Sequence, residues 1–440
     1  MPARSLSHSG YRQARGTVLL SPLHSFLWSR SAKSTSVQTT HLSGQRSPIS
    51  EKLLGVTPET SSVLTASAPG RVNLIGEHTD YTGGLVLPMA IPFQTNVRIM
   101  PASDGQYTFH SSQFNENRTM SPDDRGPAVG NWSDYAVGVL RELQELGITP
   151  PPFHIAVDGN VPLGAGLSSS ASIEVATAAV LLEHSGAQLP LPEIALLCQR
   201  AENRYVGSPC GIMDQFVITA ATAGHALLLN TRDLSYQHLP MNSGDLAGCV
   251  VVVVNSMVRH TVTAGSDYAQ RRRELEAGQQ ILRDRFGVPD LGGSTLDQLA
   301  QVQEEMSPES FRRCRHIISE NARVRQAADA MKAGNATALG KLMTTAHASE
   351  RDDFECSVEE VDFLVDTAVQ QPGCFGARLT GGGFGGCTVN LVRAGDADTF
   401  IAAVRDAYQH RYNIAAQTFV CEAVAGAVER ASAEGKQIAA

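Results

Sequence analysis

Paired cysteines, long apolar runs and an excess of positive charge are all missing from this sequence, and each absence removes a class of function. The eight cysteines (Cys198, Cys210, Cys249, Cys314, Cys356, Cys374, Cys387 and Cys421) include no CxxC pair and no regular spacing, so neither a disulfide framework nor a zinc site is expected. They read as reduced thiols of a cytoplasmic protein. The longest unbroken apolar run, around Cys249 to Val254, falls far short of the roughly 20 residues that a membrane helix needs. Lys and Arg number 35 against 44 Asp and Glu, a formal charge of −9, which disfavours a nucleic-acid or anionic-membrane partner.

Acidic residues are also absent from the first 50 positions, which carry Arg4, Arg12, Arg15, Arg30, Lys33, Arg46 and a dozen serines. That composition is similar to an organelle transit peptide. The alternatives are a disordered arm or an over-extended gene start, since such a segment cannot offset its ordering entropy. The rest of the chain, with 42 % hydrophobic residues over the full 440, is long enough for two globular domains.

Apolar periodicity predicts helices over Asn131 to Leu146, Ser170 to Glu183, Pro192 to Tyr205, Arg271 to Phe286 and Arg312 to Ala333. It predicts strands in the blocks from Val63 to Val97, at Ile155 to Val157, at Val250 to Val254 and at Cys387 to Val392. Helices and strands mix without a strict βαβ rhythm, so the expected fold class is α+β.

Pro162-Leu163-Gly164-Ala165-Gly166-Leu167-Ser168-Ser169-Ser170-Ala171-Ser172 leads from a predicted strand into a predicted helix. Glycines admit a close ligand, the first helical turn offers unpaired N–H groups, and serine hydroxyls can meet phosphate or Mg²⁺. No GK[ST] comes after it, so this is not a Walker loop, and Ser169 stands where a dinucleotide fingerprint needs its third glycine. A plain Gly-Ser turn capping a helix is the competing reading.

A second cluster, Leu379-Thr380-Gly381-Gly382-Gly383-Phe384-Gly385-Gly386-Cys387, contains a formal GxGxxG. The alternating residues after it read as a strand rather than the helix a dinucleotide site requires, which excludes an oxidoreductase reading. A close backbone approach beside the active site is favoured over a ligand-free turn.

Gly70-Arg71-Val72-Asn73-Leu74-Ile75-Gly76-Glu77-His78-Thr79-Asp80-Tyr81-Thr82 gathers Arg, Glu, His and Asp between apolar strands. Such a density of hydrogen-bonding groups suits a polyhydroxylated ligand, with a solvated polar turn as the alternative. Asp214 stands alone in the apolar segment Cys210 to Phe216. It must either pair with a cation such as Arg71 or serve as a base. Glu202 flanks the apolar face of its helix, placed to meet a metal or a surface lysine.

These motifs, in this order and spacing over about residues 50 to 430, resemble those of the GHMP small-molecule kinases. The Glu77-His78-Thr79-Asp80-Tyr81 run resembles the galactose-phosphorylating branch. The resemblance implies an N-terminal domain over residues 51–225 like ribosomal protein S5 domain 2. It implies a C-terminal α+β domain of ferredoxin-like plan over residues 226–440, with the active site between the two. The implied activity is transfer of the ATP γ-phosphate to the anomeric hydroxyl of D-galactose, by a monomer using ATP and Mg²⁺.

By position the resemblance implies Asp214 as base and Arg71 as the cation that orients it. It implies Glu77, His78, Thr79, Asp80, Gly211 and Tyr268 at the sugar, and Gly164, Ala165, Gly166, Leu167, Ser168, Ser169 and Ser170 at the phosphates. Ser170 and Glu202 would hold Mg²⁺, and Trp132 and Tyr135 would border the adenine. The rival readings are a related kinase for N-acetylgalactosamine or arabinose and a non-catalytic sugar sensor.

Overall fold

The computed structural model describes residues 63–259 and 264–427. The basic, serine-rich tail and the start of the expected N-terminal domain lie outside them. The first half runs β1 (Leu64–Asn73), β2 (Leu85–Val86), β3 (Pro88–Pro101), β4 (Tyr107–Ser111), β5 (Glu116–Met120), α1 (Ser133–Glu145), β6 (Phe153–Gly159), α2 (Ser169–His184), α3 (Leu191–Arg200) and α4 (Met213–Ala220). Five of these strands form one sheet in the order β1-β3-β6-β4-β5, antiparallel except where β4 runs beside β6. Alternate residues put Val97, Ile99, Phe109, Phe153 and Ile155 on one core with Val137, Leu140 and Leu181, as the two-residue period of a half-buried strand dictates. From Ala171 to Leu182 every residue of α2 is buried, the polar Ser172, Glu174 and Thr177 included, so the helix is enclosed on all sides.

The second half runs β7 (His225–Asn230), β8 (Tyr236–Pro240), β9 (Cys249–Arg259), α5 (Ala264–Phe286), α6 (Leu296–Gln301), α7 (Pro308–Lys332), α8 (Ala336–Ser349), α9 (Glu359–Val369), β10 (Cys374–Thr380), β11 (Gly385–Arg393), α10 (Ala397–Tyr412) and β12 (Gln417–Cys421). Its antiparallel sheet has the order β10-β11-β9-β12. The run of valines in β9 is explained by burial on both faces. Val251 and Val253 join a core that includes Met331, Leu339 and Met343, while Val252 and Val254 join one that includes Phe400, Val404 and Tyr408. The first of these cores also takes Val72, Leu74, Leu87 and Met89, so the sugar-type motif is packed directly onto the second half. The mixed architecture is the α+β class expected from the sequence.

Several helix boundaries differ from the periodic reading: α5 begins at Ala264 rather than Arg271 and α7 at Pro308 rather than Arg312, because polar first turns carry no apolar period. The helix predicted from Asn131 begins at Ser133 with Trp132 as the flanking residue; the Asn131 side chain accepts from Ser133 N at 3.0 Å, a local turn that competes with the helix. The expected helix to Tyr205 ends its α-geometry at Arg200 and finishes in a π-turn over Ala201–Val206. The wider turn changes the direction in which Glu202 projects, an effect that apolar spacing does not record.

Candidate active site

Strand β1 carries Arg71 into the middle of the molecule. A register shift between Pro69 and Gly70 turns the strand there, and a Cβ on Gly70 would lie 2.9 Å from the Leu167 carbonyl, so glycine permits the approach of the 162–168 loop. Arg71 N donates to Leu167 O at 3.2 Å, and Arg71 Nη1 donates to Gly166 O at 2.5 Å. The remaining edge of the guanidinium is bidentate on Asp214, with Nε to Oδ1 at 2.8 Å and Nη2 to Oδ2 at 2.7 Å. Ser168 Oγ also donates to Asp214 Oδ2. Asp214 sits in the first turn of α4, so the carboxylate is fixed from a helix, a strand and a loop together.

The loop itself has left-handed backbone at alternate positions: Gly164 (φ +63°), Gly166 (φ +74°) and Ser168 (φ +60°). Alternation of this kind turns successive N–H groups toward one side and makes an anion-binding concavity. Ala165 and Leu167 anchor it in the core, and Ser169 and Ser170 open α2. Leu163, Ser169 and Ile173 line a shallow hollow with Trp132 and Phe114, whose rings are nearly parallel at 6.3 Å. Tyr135 does not line that hollow. It lies toward Glu202 and Glu174: burial first, then their charge, pushes its phenol up to about 12.

Glu202 projects inward from the π-turn and is buried. Gln215 Nε2 donates to Glu202 Oε2 at 2.8 Å and to Glu174 Oε2 at 3.0 Å. The Ser170 hydroxyl lies on the Glu202 side of the loop and favours its charged form. Burial and the charge of Asp214 push the Glu202 carboxyl up to about 7, and burial with the adjoining Glu202 raises Glu174 well above the usual range. Three carboxylates facing one small volume call for positive charge. Among the described residues no group of three or more His, Cys, Asp or Glu could hold a metal ion unaided. One hydroxyl and one carboxylate nevertheless suit Mg²⁺, which takes few protein ligands and completes its shell with phosphate and water. Glu174 and Gln215 were not found by sequence reasoning; the signal was Gln215 standing next to Asp214 in a segment with room for few polar residues.

The polar loop after β1 is held from beneath by α7. Glu320 Oε1 accepts from Gly76 N at 2.8 Å, Asn321 Oδ1 accepts from Leu85 N at 2.7 Å, and His316 Nε2 lies 3.2 Å from Glu77 O. The Glu77 carboxylate accepts from Gly381 N at 2.9 Å and lies 3.6 Å from the fully buried Arg378. Burial, more than the opposing Arg378, leaves its carboxyl at about 7. Asp80 packs so tightly on Gly211 that no Cβ fits there, and burial with the charge of Asp214 pushes it up to about 6. His78 is buried with its ring stacked on Phe354 at 4.1 Å. Tyr268, from α5, is 6.0 Å from the His78 ring.

Thr79 is placed differently from the other predicted sugar contacts. It is fully buried, and its hydroxyl lies 2.9 Å from Gly76 O and 2.7 Å from Leu85 O, so it braces the loop. Arg71, Asp80, Gly211 and Asp214 are brought into one site with the glycine-serine loop, while His78 and Tyr268 form its aromatic flank. The buried supports Arg378, Glu320 and Glu350 escaped the sequence reading, because a charged residue inside a strand or long helix gives no pattern that separates a core ion pair from a surface one.

Comparisons with known proteins agree with this arrangement. Residues 134–222 match the GHMP kinases N terminal domain and residues 327–410 the GHMP kinases C terminal family, while residues 52–101 match the galactokinase galactose-binding signature. The chain is 42 % identical over 367 residues to the galactokinase of Chloroflexus aurantiacus, covering 82 % of this chain and 92 % of that one. It is 40 % identical over 362 residues to the galactokinase of Homo sapiens, covering 80 % and 89 %. The structure of Lactococcus lactis galactokinase complexed with galactose superposes with a TM-score of 0.80 at 32 % identity, covering 84 % of this chain and 95 % of that one. Methanococcus jannaschii mevalonate kinase shares the fold, with a TM-score of 0.60 at 20 % identity.

Fold and site together define a kinase of the GHMP class, built from that class's N- and C-terminal domains. Within the class the relatives decide the branch: the chain belongs to the galactokinase family.

Proposed function

We propose that this chain transfers the γ-phosphoryl group of ATP to the anomeric hydroxyl of D-galactose, giving galactose 1-phosphate and ADP. The observation that carries the reading is the Asp214 carboxylate held bidentate by Arg71 against a loop whose backbone is shaped for phosphate. Phosphoryl transfer needs chiefly positioning and charge neutralisation. The 164–170 loop and the start of α2 orient the phosphates, and the hollow beside Trp132 borders the adenine. Asp80 and Gly211 form one wall for the sugar, with Glu77, His78 and Tyr268 around it.

Carboxylate oxygens offer about four lone-pair sites, and three of those on Asp214 are engaged by Arg71 and Ser168. The remaining capacity receives the proton of the sugar hydroxyl as the new P–O bond forms. Arg71 keeps the carboxylate aimed and offsets charge developing beside it. The Ser170 hydroxyl and Glu202 carboxylate would hold Mg²⁺, which when bound supplies charge neutralisation on the phosphates.

The division into domains at 51–225 and 226–440 belongs to the same proposal, as do action as a monomer and residence in the cytoplasm. All eight cysteines are free thiols, which supports residence in the cytoplasm. Among the described residues no helix is long and apolar enough to cross a membrane.

A panel of galactose, N-acetylgalactosamine and arabinose with MgATP, with the phosphate then located on the product, tests the reading. Galactose should give the highest kcat/KM and a 1-phosphate. Asp214→Asn should lower kcat about 1,000-fold or more while galactose affinity by calorimetry stays within about threefold, because the amide keeps the shape of the group. A near-normal rate in that variant would remove Asp214 from the chemistry.

A further inference from the structure

His78 holds an unusual position for a residue expected at a sugar. Its backbone is left-handed at φ +62°, and its ring is clamped face to face on Phe354, with interplanar angle 17°, and edge-on to Tyr81 and His316. Nδ1 lies 3.0 Å from Tyr81 Oη. Nε2 is buried and has no hydrogen-bond partner among the described residues. A ring fixed on three sides, with one nitrogen engaged and the other buried without a partner, is poised to meet a ligand atom.

A neutral imidazole carries one N–H and one lone pair, so the nature of Nε2 depends on what Nδ1 does. Burial, with His316, Arg272 and Arg378 nearby, holds the His78 imidazole well below its usual pKa, so it is neutral. Tyr81 stays a phenol, since burial raises its pKa well above the usual value. That phenol has one hydrogen, and among the described residues His78 Nδ1 is its partner. In the sugar-free chain either direction leaves one hydrogen without an acceptor among the described residues, the phenol's or the one on Nε2, so the charge beside the phenol decides between them. The Arg272 guanidinium lies 3.9 Å from the centre of the Tyr81 ring. A cation there withdraws electron density from the phenol and strengthens its O–H as a donor. Arg272 and Tyr268 both belong to α5, so this helix supplies the cation beside Tyr81 and the ring beside His78.

We infer that Tyr81 is a positioning residue: its O–H donates to His78 Nδ1, fixes the imidazole as the Nε2–H tautomer, and so makes His78 a hydrogen-bond donor to an oxygen of the bound sugar. The second half rests on the proposed place of His78 at the sugar. The first half concerns the sugar-free chain and stands apart from it. The tautomer also sets selectivity. A donor tolerates replacement of the contacted hydroxyl by fluorine better than its deletion, whereas an acceptor loses its partner in both cases.

The tautomer is read directly by ¹⁵N spectroscopy of the sugar-free, histidine-labelled full chain, with His78 assigned by the resonances lost in His78→Gln. The expected result is a bare Nδ1 and a protonated Nε2, with Tyr81→Phe shifting the ring to a mixture of tautomers. A protonated Nδ1 in the native chain overturns the inference, and this reading needs no variant of Tyr81 to fold. Where Tyr81→Phe folds, an unchanged spectrum overturns it as well.

Adding galactose should then move the Nε2–H resonance. The expected tautomer without that movement overturns the sugar half alone, separately from whether the sugar panel shows turnover. In kinetics, Tyr81→Phe should raise KM for galactose about tenfold, with KM for ATP and kcat within about twofold. It should also narrow the preference for deoxyfluoro over deoxy sugars at the ring position that His78→Gln identifies. A proportional loss in all three constants overturns the positioning role in favour of a general packing one.

Discussion

The two glycine-rich segments, 162–172 and 379–387, look alike in composition and lead into different elements. The first opens α2; the second closes the hairpin between β10 and β11. In the first, Arg71 binds the carbonyl oxygens of Gly166 and Leu167, and the backbone alternates in hand as an anion cradle does. In the second, backbone donors are turned onto the protein itself: Gly381 N onto Glu77 Oε1 at 2.9 Å and Phe384 N onto Cys356 O at 2.6 Å. The next element, not the number of glycines, decides whether such a loop serves a ligand or its neighbours. The hairpin also lies against the cradle, since a Cβ on Gly381 would sit 3.3 Å from Gly166 O. One loop is thus a template for the other.

If the hairpin is a structural brace, breaking it should act on stability. Gly383 has φ +82°, and a Cβ there would run into the Cys356 carbonyl. Gly383→Ala therefore adds left-handed strain to a backbone clash, and should cost about 3 kcal/mol. Denaturant unfolding monitored by circular dichroism reads this as a lower midpoint at similar slope.

The contact from Gly381 to Glu77 makes a second test, read in pH. Glu77 is at about 7 in the folded chain, above its value when unfolded, so the folded state favours the protonated acid. Stability from this group is full below pH about 4.5 and is lost as pH rises toward 7, by about 3 kcal/mol in the limit. Glu77→Gln removes that dependence. The stability difference, variant minus native, should therefore move in favour of the variant as pH rises across this window. A constant difference would detach Glu77 from the buried acid role.

On the cradle side, the parallel change is in metal dependence. Glu202→Gln removes one of two proposed Mg²⁺ ligands and should raise the half-saturating Mg²⁺ or Mn²⁺ concentration by about 10- to 100-fold. Mn²⁺ binding to the nucleotide complex, monitored by its paramagnetic signal, reads the same loss without turnover. Gly383→Ala should leave that constant within about twofold in the fraction that stays folded, and equal shifts in both variants would erase the distinction between the loops.

Much of this was legible in the sequence for definite reasons. Strand β9 announced itself because burial on two faces demands an unbroken apolar run, and α2 because a strand, glycines and serines preceded it. The association of Arg71 with Asp214 was implied by the impossibility of leaving a lone carboxylate unpaired in an apolar segment. The ion network of Arg378, Glu77, Glu320 and Glu350 was not legible. Its members come from four separate segments, and only tertiary packing brings Arg378 Nη2 to 2.6 Å from Glu350 Oε1. The π-turn that aims Glu202 was hidden for a related reason: a single residue of extra winding leaves the apolar period almost unchanged.

The smallest expected effect is the most discriminating. Gly382 lies between Gly381 and Gly383, yet its φ is not left-handed and no atom lies within 4 Å of the place its Cβ would take. Gly382→Ala should then change stability by no more than about 0.5 kcal/mol, because reduced freedom of the unfolded chain offsets any small loss. Gly166→Ala, with φ +74°, should cost about 1 kcal/mol from handedness alone and raise KM for ATP. Gly382 is thus an open position in the brace, whereas Gly166 is a required position in the cradle. Should Gly382→Ala raise KM for ATP several-fold at unchanged stability, the hairpin must also face the nucleotide. The space beside Gly382 would then be the place where the two loops cease to differ.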